Sequence, residues 1–331
     1  MGCEALTSIF RLGEQNIMSK DGRIINWVLV GVVLILAGQK LWAQAGGQAA
    51  AVNTSAVIWE QVDVAGRDLY MGPGGSLRPA LDKLTLIGRQ SGGNNLKYRV
   101  KDANGVEWVV KAADESQAEV AATRLLWAIG YHTEIDHAVQ KFSILKVGSF
   151  KNVRFEARPE HIKRLDRWSW ASNQFLRSRE FDGLKIMMAL INNWDLKDEN
   201  TVILEHGGKQ HYVVSDLGSS FGKLADKNYS RSGRSVNDAE DYAKDPFVKG
   251  VNNGVIEFHY RGINQDLMKG VPVESARWLA DLLLQLSDKQ IADAFRAANY
   301  EPKTIQLYVA AVKARIKALD EAAKSVPSPA A

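Results

Sequence analysis

Apolar and polar positions along this chain change period several times, and the changes mark its elements. Residues 84–101 read Leu-Thr-Leu-Ile-Gly-Arg-Gln-Ser-Gly-Gly-Asn-Asn-Leu-Lys-Tyr-Arg-Val-Lys, which predicts strand, glycine-rich turn and strand. Asn104-Gly105 is a tight-turn signal, and residues 107–111 predict a third strand. The period then lengthens to that of a helix over residues 115–129, with Asp114 as the candidate cap and Gly130 as a stop. Strands return near 138–147 and 153–157.

From Arg158 onward the pattern is mostly helical. Phe181, Leu184, Met187, Met188, Leu190 and Ile191 recur at three- and four-residue intervals, predicting a buried helix over 181–193. Two short β-prone runs follow, 201–204 and 211–214, joined by Glu205-His-Gly-Gly-Lys-Gln210 with hairpin turn chemistry. Near the end, 276–286 is amphipathic, Ser287-Asp-Lys-Gln is a capping signal for 291–298, and Pro302 opens a last helix through Leu319. The pattern gives an α+β class. Between these elements, 164–170 is an aromatic-rich insertion whose two Trp are expected to pack on the surface. Residues 226–242 read as a polar surface loop, and 325–331 as an unstructured tail.

Chemistry concentrates beside the hairpin. Asn193-Trp-Asp-Leu-Lys-Asp-Glu-Asn200 precedes it, and Ser215-Asp-Leu-Gly-Ser-Ser-Phe-Gly222 follows it. Phosphoryl transfer needs little covalent work from a protein; it needs positioned reactants and neutralised phosphate charge. Asp195 would orient or deprotonate an accepting hydroxyl, Lys197 would lie against the transferred group, and Asn200 and Asp216 would hold Mg²⁺ through hard oxygen ligands.

The first motif resembles the His-Arg-Asp-Leu-Lys-x-x-Asn loop of protein kinases, with Asn193-Trp194 in place of His-Arg. The second is similar to the Asp-x-Gly-x-x-Phe-Gly element of atypical kinases: phosphatidylinositol kinases, secretory-pathway kinases and, as a further relative, bacterial toxin kinases. The resemblance implies a two-lobed protein-kinase-like fold, with a small antiparallel-sheet N-lobe over 81–158, a mainly helical C-lobe over 159–324, and a hinge at 155–159 where backbone groups meet adenine. It implies ATP and Mg²⁺ as cofactors. Lys111 matches the Val-x-x-Lys position that pairs with the α- and β-phosphates. Glu119 is the candidate ion-pair partner of that lysine, with Glu115 a competitor because the eight-residue interval is short. Gly92 and Gly93 would let backbone N–H groups approach phosphate, although the glycines do not fit Gly-x-Gly-x-x-Gly and an ordinary hairpin is the alternative.

The N-terminus carries a separate expectation. Lys20 and Arg23, an apolar run over 27–37 and Ala43-Gln-Ala45 form the anatomy of a secretory signal peptide spanning 1–45. Cleavage near Ala45 gives a secreted or periplasmic protein whose membrane contact is transient; retention of residues 24–43 as an anchor is the alternative. Met18 would be a conventional start, which would remove the sole cysteine, Cys3; peptides from residues 1–16 in the purified protein would exclude that start. Residues 46–80 read as linker and N-terminal extension. A net charge of +4 over 331 residues and the lack of an Arg-rich aromatic stripe give no nucleic-acid partner. The partners expected are a nucleotide and an acceptor that is a protein, lipid or small molecule. The six His show no zinc spacing and no Gly-x-Ser-x-Gly elbow occurs, which disfavours metal and serine hydrolases. A catalytically inactive binding module and a nucleotidyl transferase on the same scaffold stand as alternatives to the kinase.

Overall fold

Strand β1 (Ser55–Val57) opens the described part of this computed structural model, which covers residues 55–90, 95–144, 148–224 and 233–327. The signal-peptide segment, Gly92, Gly93 and residues 328–331 lie outside it. The early alternating segments form a five-stranded antiparallel sheet: β2 (Thr85–Gln90), β3 (Leu96–Lys101), β4 (Glu107–Ala112), β5 (Asp136–Ile144) and β6 (Gly148–Arg158), in the order β2-β3-β4-β6-β5. Helix α1 (Ser116–Ala128) crosses from β4 to β5.

Register sorts the two faces of this sheet. Val100, Trp108, Phe155 and Val110 lie on one side, because Val100 pairs with Trp108 and Val110 with Phe155; together with Val139, Phe142, Val153 and Ala157 they make the small N-lobe core. The opposite face is charged. Lys97 sits across from Lys111, and Lys111 across from Arg154, so three cations stand side by side over three strands. Such a row is repulsive by itself and needs carboxylates against it.

The remaining chain is mainly helical. It contains β7 (Lys163–Arg164), α2 (Arg179–Leu190), β8 (Thr201–His206), β9 (Lys209–Val214), α3 (Ala239–Lys244), β10 (Val248–Asn252), β11 (Val255–Phe258), β12 (Val271–Pro272), α4 (Val273–Leu283), α5 (Asp288–Ala297) and α6 (Pro302–Lys324). Helix α2 starts where Ser178 accepts from the Phe181 N–H, and it is buried along most of its length, as its apolar periodicity requires. Ser287 and Gln290 close a capping box on α5. The fold class is therefore the α+β, two-lobed one read from the sequence, a small antiparallel sheet lobe and a mainly helical lobe. Among the described residues no helix is long and apolar enough to cross a membrane.

Three local expectations are corrected. Trp168 and Trp170 are core residues, 4% and 1% exposed, because the 165–170 segment lies along the β8–β9 hairpin: the Trp168 indole donates to Val213 O and the Trp170 N–H to Asp198. The far end of the polar 226–242 stretch is not loop. Asp238 caps α3, and Tyr242 is fully buried with its hydroxyl donating to Leu190 O; residues 225–232 lie outside the described part. Residues 155–158 of the expected hinge at 155–159 are not a link but the end of β6, and the backbone leaves the sheet only at Pro159.

The segment ahead of the N-lobe packs on both neighbours. Strand β1 runs parallel to β9, the Glu60 N–H donates to Gly130 O at 3.0 Å, and Gln290 of α5 donates to Val64 O and Arg67 O. Ile58, Val64 and Leu69 are buried there.

Candidate active site

The charged sheet face, α1 and the two loops flanking the β8–β9 hairpin line one cleft of about 760 Å³. Lys97, Val109, Glu119, Arg154, Asp195, Lys197, Asn200 and Asp216 all contribute to its walls. Lys111 sits behind them, fully buried.

Lys111 is the penultimate residue of β4, the third strand of the sheet in chain order, and its partners come from the start of the next helix and from the exit of β9. Its ammonium lies 3.0 Å from Glu119 and 3.2 Å from Asp216, and it also pairs with Glu115. Both carboxylates that competed in the sequence are therefore used. Burial opposes the charge on Lys111, but Glu119 and Asp216 outweigh it and raise its pKa. Glu119 is shared with Arg154 on the far side; its complete burial pushes its carboxyl up to about 7 against the pull of Arg154 and Lys111.

Asp216 follows β9. Ser215 N–H donates to Asn200 O at 2.9 Å, so Asn200 and Asp216 leave the two strands of the hairpin side by side. Burial would raise the Asp216 carboxyl, yet Lys111, Arg154, Lys97 and the Gly218 N–H together hold it below the usual value. Gly218 is required by proximity: a Cβ there would stand 2.9 Å from Cγ of Glu115. Gly222 is tighter still, its Cβ position being 2.2 Å from the backbone oxygen of Ser235. These two contacts explain the glycines of the second motif by close packing.

The first motif is held by its backbone. Asn193 Oδ1 accepts from Asp195 N, Tyr260 donates to Asn193 O at 2.6 Å, Ile263 N–H donates to Trp194 O, and Asn264 donates to Leu196 O. Asn200 Nδ2 donates to the backbone oxygen of Asp195 and to its Oδ2, at 2.8 and 3.1 Å. Lys197 lies 2.7 Å from Asp195 Oδ1. From behind, Arg315 of α6 donates to Ala189 O, Leu190 O, Asn192 Oδ1, Tyr242 O and Asp245 O. It ties the end of α2, where Asn192 takes a left-handed φ of 53°, to the helical core.

Sequence reading missed Arg154, Arg315 and Lys97. Arg154, Glu156 and Arg158 alternate along β6, a period-two signal for three charges on one face. Arg154 pairs with Glu119 and Glu156, and Arg158 with Glu156 and Glu134. Lys97 makes no ion pair among the described residues, and burial followed by repulsion from Lys111 lowers its pKa.

An oxygen donor set suited to Mg²⁺ is present. Asp216 supplies carboxylate oxygens, and Asn200, whose Nδ2 is spent on Asp195, retains its Oδ1.

Comparison with protein-family models gives no match, and comparison with curated protein sequences gives none either. Among solved structures, the crystal structure of the Helicobacter pylori proinflammatory kinase CtkA superposes with a TM-score of 0.46 at 10% identity, over 76% of this chain and 100% of that one.

Proposed function

We propose that this chain is an ATP-dependent phosphotransferase with a protein-kinase-like site. The observation that carries the reading is convergence: Lys111 from a strand, Glu119 from a helix, Asp195 and Asn200 from a loop and Asp216 from a hairpin exit meet at one cleft. A lysine on the third strand paired to a helical glutamate, with an Asp-x-Gly carboxylate beside it, is the charge arrangement kinases use around nucleotide phosphates.

Lys111, oriented by Glu119, binds the α- and β-phosphates, and Lys97 adds a second cation on the same sheet face. Asn200 and Asp216 hold Mg²⁺, which when bound neutralises phosphate charge. Asp195 takes the proton of the acceptor hydroxyl as that oxygen forms its bond to the γ-phosphorus and the bond from γ-phosphorus to the bridging oxygen of ADP breaks. Lys197 faces the transferred group. Val109 and Val202, both lining the cleft, supply apolar surface for the base. The N-terminal segment would send the protein out of the cytoplasm, so the acceptor is sought among secreted or surface molecules.

Incubation with γ-labelled ATP and Mg²⁺ tests the assignment. Label release or transfer should fall by about 10²–10⁴-fold in Asp195→Asn. Equal turnover in the variant would overturn the role of Asp195.

A further inference from the structure

Away from the cleft, the exit of α1 meets the tip of the β8–β9 hairpin, and three imidazoles gather there. His132, His206 and His211 place one ring nitrogen each within 4.8 Å of the other two. His211 lies between its neighbours, its ring centroid 3.8 Å from that of His132, at a tilt, and 4.1 Å from that of His206, on which it stacks. Hairpin register explains half of this, since His211 pairs with Leu204 and His206 with Lys209 on the same face. His132 arrives from another part of the chain, just after the Trp59–Tyr131 bridge.

Two further observations point to a ligand. His211 is 2% exposed, and its Nδ1 is buried without a hydrogen-bond partner. An unpartnered buried ring nitrogen is costly, and neutral imidazole packing alone leaves that cost in place. Glu60 adds a carboxylate at the edge of the cluster, 2.6 Å from Nε2 of His132, while also pairing with Lys209. A carboxylate against a histidine is the usual companion of a metal-bound imidazole.

We infer that His132, His206 and His211 form a binding site for a transition-metal dication of the zinc class, with Glu60 as fourth ligand or as the carboxylate that orients His132. Three imidazole nitrogens suit zinc and its neighbours and do not suit Mg²⁺. Zn–N bonds of about 2.0–2.1 Å in a tetrahedral sphere put ligand nitrogens about 3.3 Å apart, inside the 4.8 Å within which the three ring nitrogens already lie. The site is structural in effect. It fastens the end of the helix that carries Glu119 to the hairpin that presents Asn200 and Asp216, and Glu60 adds the segment ahead of the N-lobe. It is chemically distinct from the all-oxygen Asn200–Asp216 pair and independent of whether the chain transfers phosphate.

The test is Zn²⁺ titration of the purified full chain, followed by thermal unfolding, with Co²⁺ as a spectroscopic substitute. One Zn²⁺ per chain should bind and raise the midpoint, and Co²⁺ should give the intense visible bands of a tetrahedral nitrogen site. Both signals should disappear in His211→Gln and in His206→Gln, the latter at a half-buried hairpin end where folding is preserved, and survive in Asp216→Asn. Glu60→Gln should weaken Zn²⁺ affinity by about tenfold. No stoichiometric uptake by the parent, or uptake kept in His206→Gln and lost in Asp216→Asn, would overturn the site.

Discussion

The charged face of the N-lobe sheet and the 193–200 loop bound the same cleft, and they are built by opposite means. The sheet face holds Lys111 in a buried chain of charges: Lys111 with Glu119, Glu119 with Arg154, Arg154 with Glu156, Glu156 with Arg158. The loop holds Asp195 and Asn200 by neutral hydrogen bonds to its backbone from Asn193, Tyr260, Ile263 and Asn264. In the first region the side chain proposed to bind phosphate is also a structural one, because removing it takes a cation away from buried carboxylates. In the second, side-chain chemistry is separable from the fold.

The strongest way to break this contrast is Arg154→Met. It removes the buried cation shared by Glu119, Asp136 and Glu156, leaving Glu119 with Lys111 and Glu156 with Arg158 as their remaining partners, and unfolding free energy should fall by about 3–5 kcal/mol, read by denaturant titration; a loss below 1 kcal/mol would place the network's weight elsewhere. Protonation probes the other face of the same sheet. His137 is 3% exposed, and burial, then Arg78 and Arg124, push its pKa down to about 3. The unfolded chain takes that proton near the ordinary value of 6.5 and the folded chain only near 3. Stability from this group is therefore complete above pH 6.5 and drains away as pH falls toward 3, by about 3 kcal/mol at pH 4. Comparing His137→Leu with the parent isolates it: the variant should show a flatter slope between pH 6.5 and 4, and parallel slopes would contradict the assignment.

Lys97→Met sharpens the comparison, since it removes one of three adjacent cations that makes no ion pair among the described residues. Stability should hold or rise by up to about 1 kcal/mol, while ATP affinity drops by about tenfold, measured by calorimetry; unchanged affinity would take Lys97 out of the phosphate site. The smallest stability effect belongs to Asp195→Asn in the loop. Its unfolding free energy should stay within about 0.5 kcal/mol of the parent, and a large loss would show that the loop, like the sheet, is held by its charges.

What the sequence disclosed follows the same division. Asp195, Lys197, Asn200 and Asp216 lie within two short motifs around a hairpin, so their proximity is a matter of local spacing, and the hairpin formed as its turn chemistry required. Lys111, Glu119 and Glu115 were legible because a strand and the next helix hold them. The cation row was not legible, since Lys97, Lys111 and Arg154 become neighbours only once register across three strands is fixed. Arg315, over a hundred residues from the loop it supports, gave no local sign. Trp168 and Trp170 read as surface aromatics because nothing in their own segment says that a hairpin lies beneath them. The histidines looked scattered for the same reason: His132, in the loop after α1, and His211, in β9, are distant in sequence, and only tertiary packing brings their rings together.

The central claim is that Lys111, Asn200 and Asp216 form a magnesium-dependent nucleotide site, and linkage between binding and unfolding addresses it most directly. Thermal midpoints of the parent and of Asp216→Asn should be measured with and without Mg-ATP. The account predicts a rise of several degrees in the parent at saturating nucleotide, corresponding to about 2.7 kcal/mol at a hundredfold excess over Kd, dependent on Mg²⁺ and absent from the variant. No rise in the parent, or an equal rise in both, would contradict it.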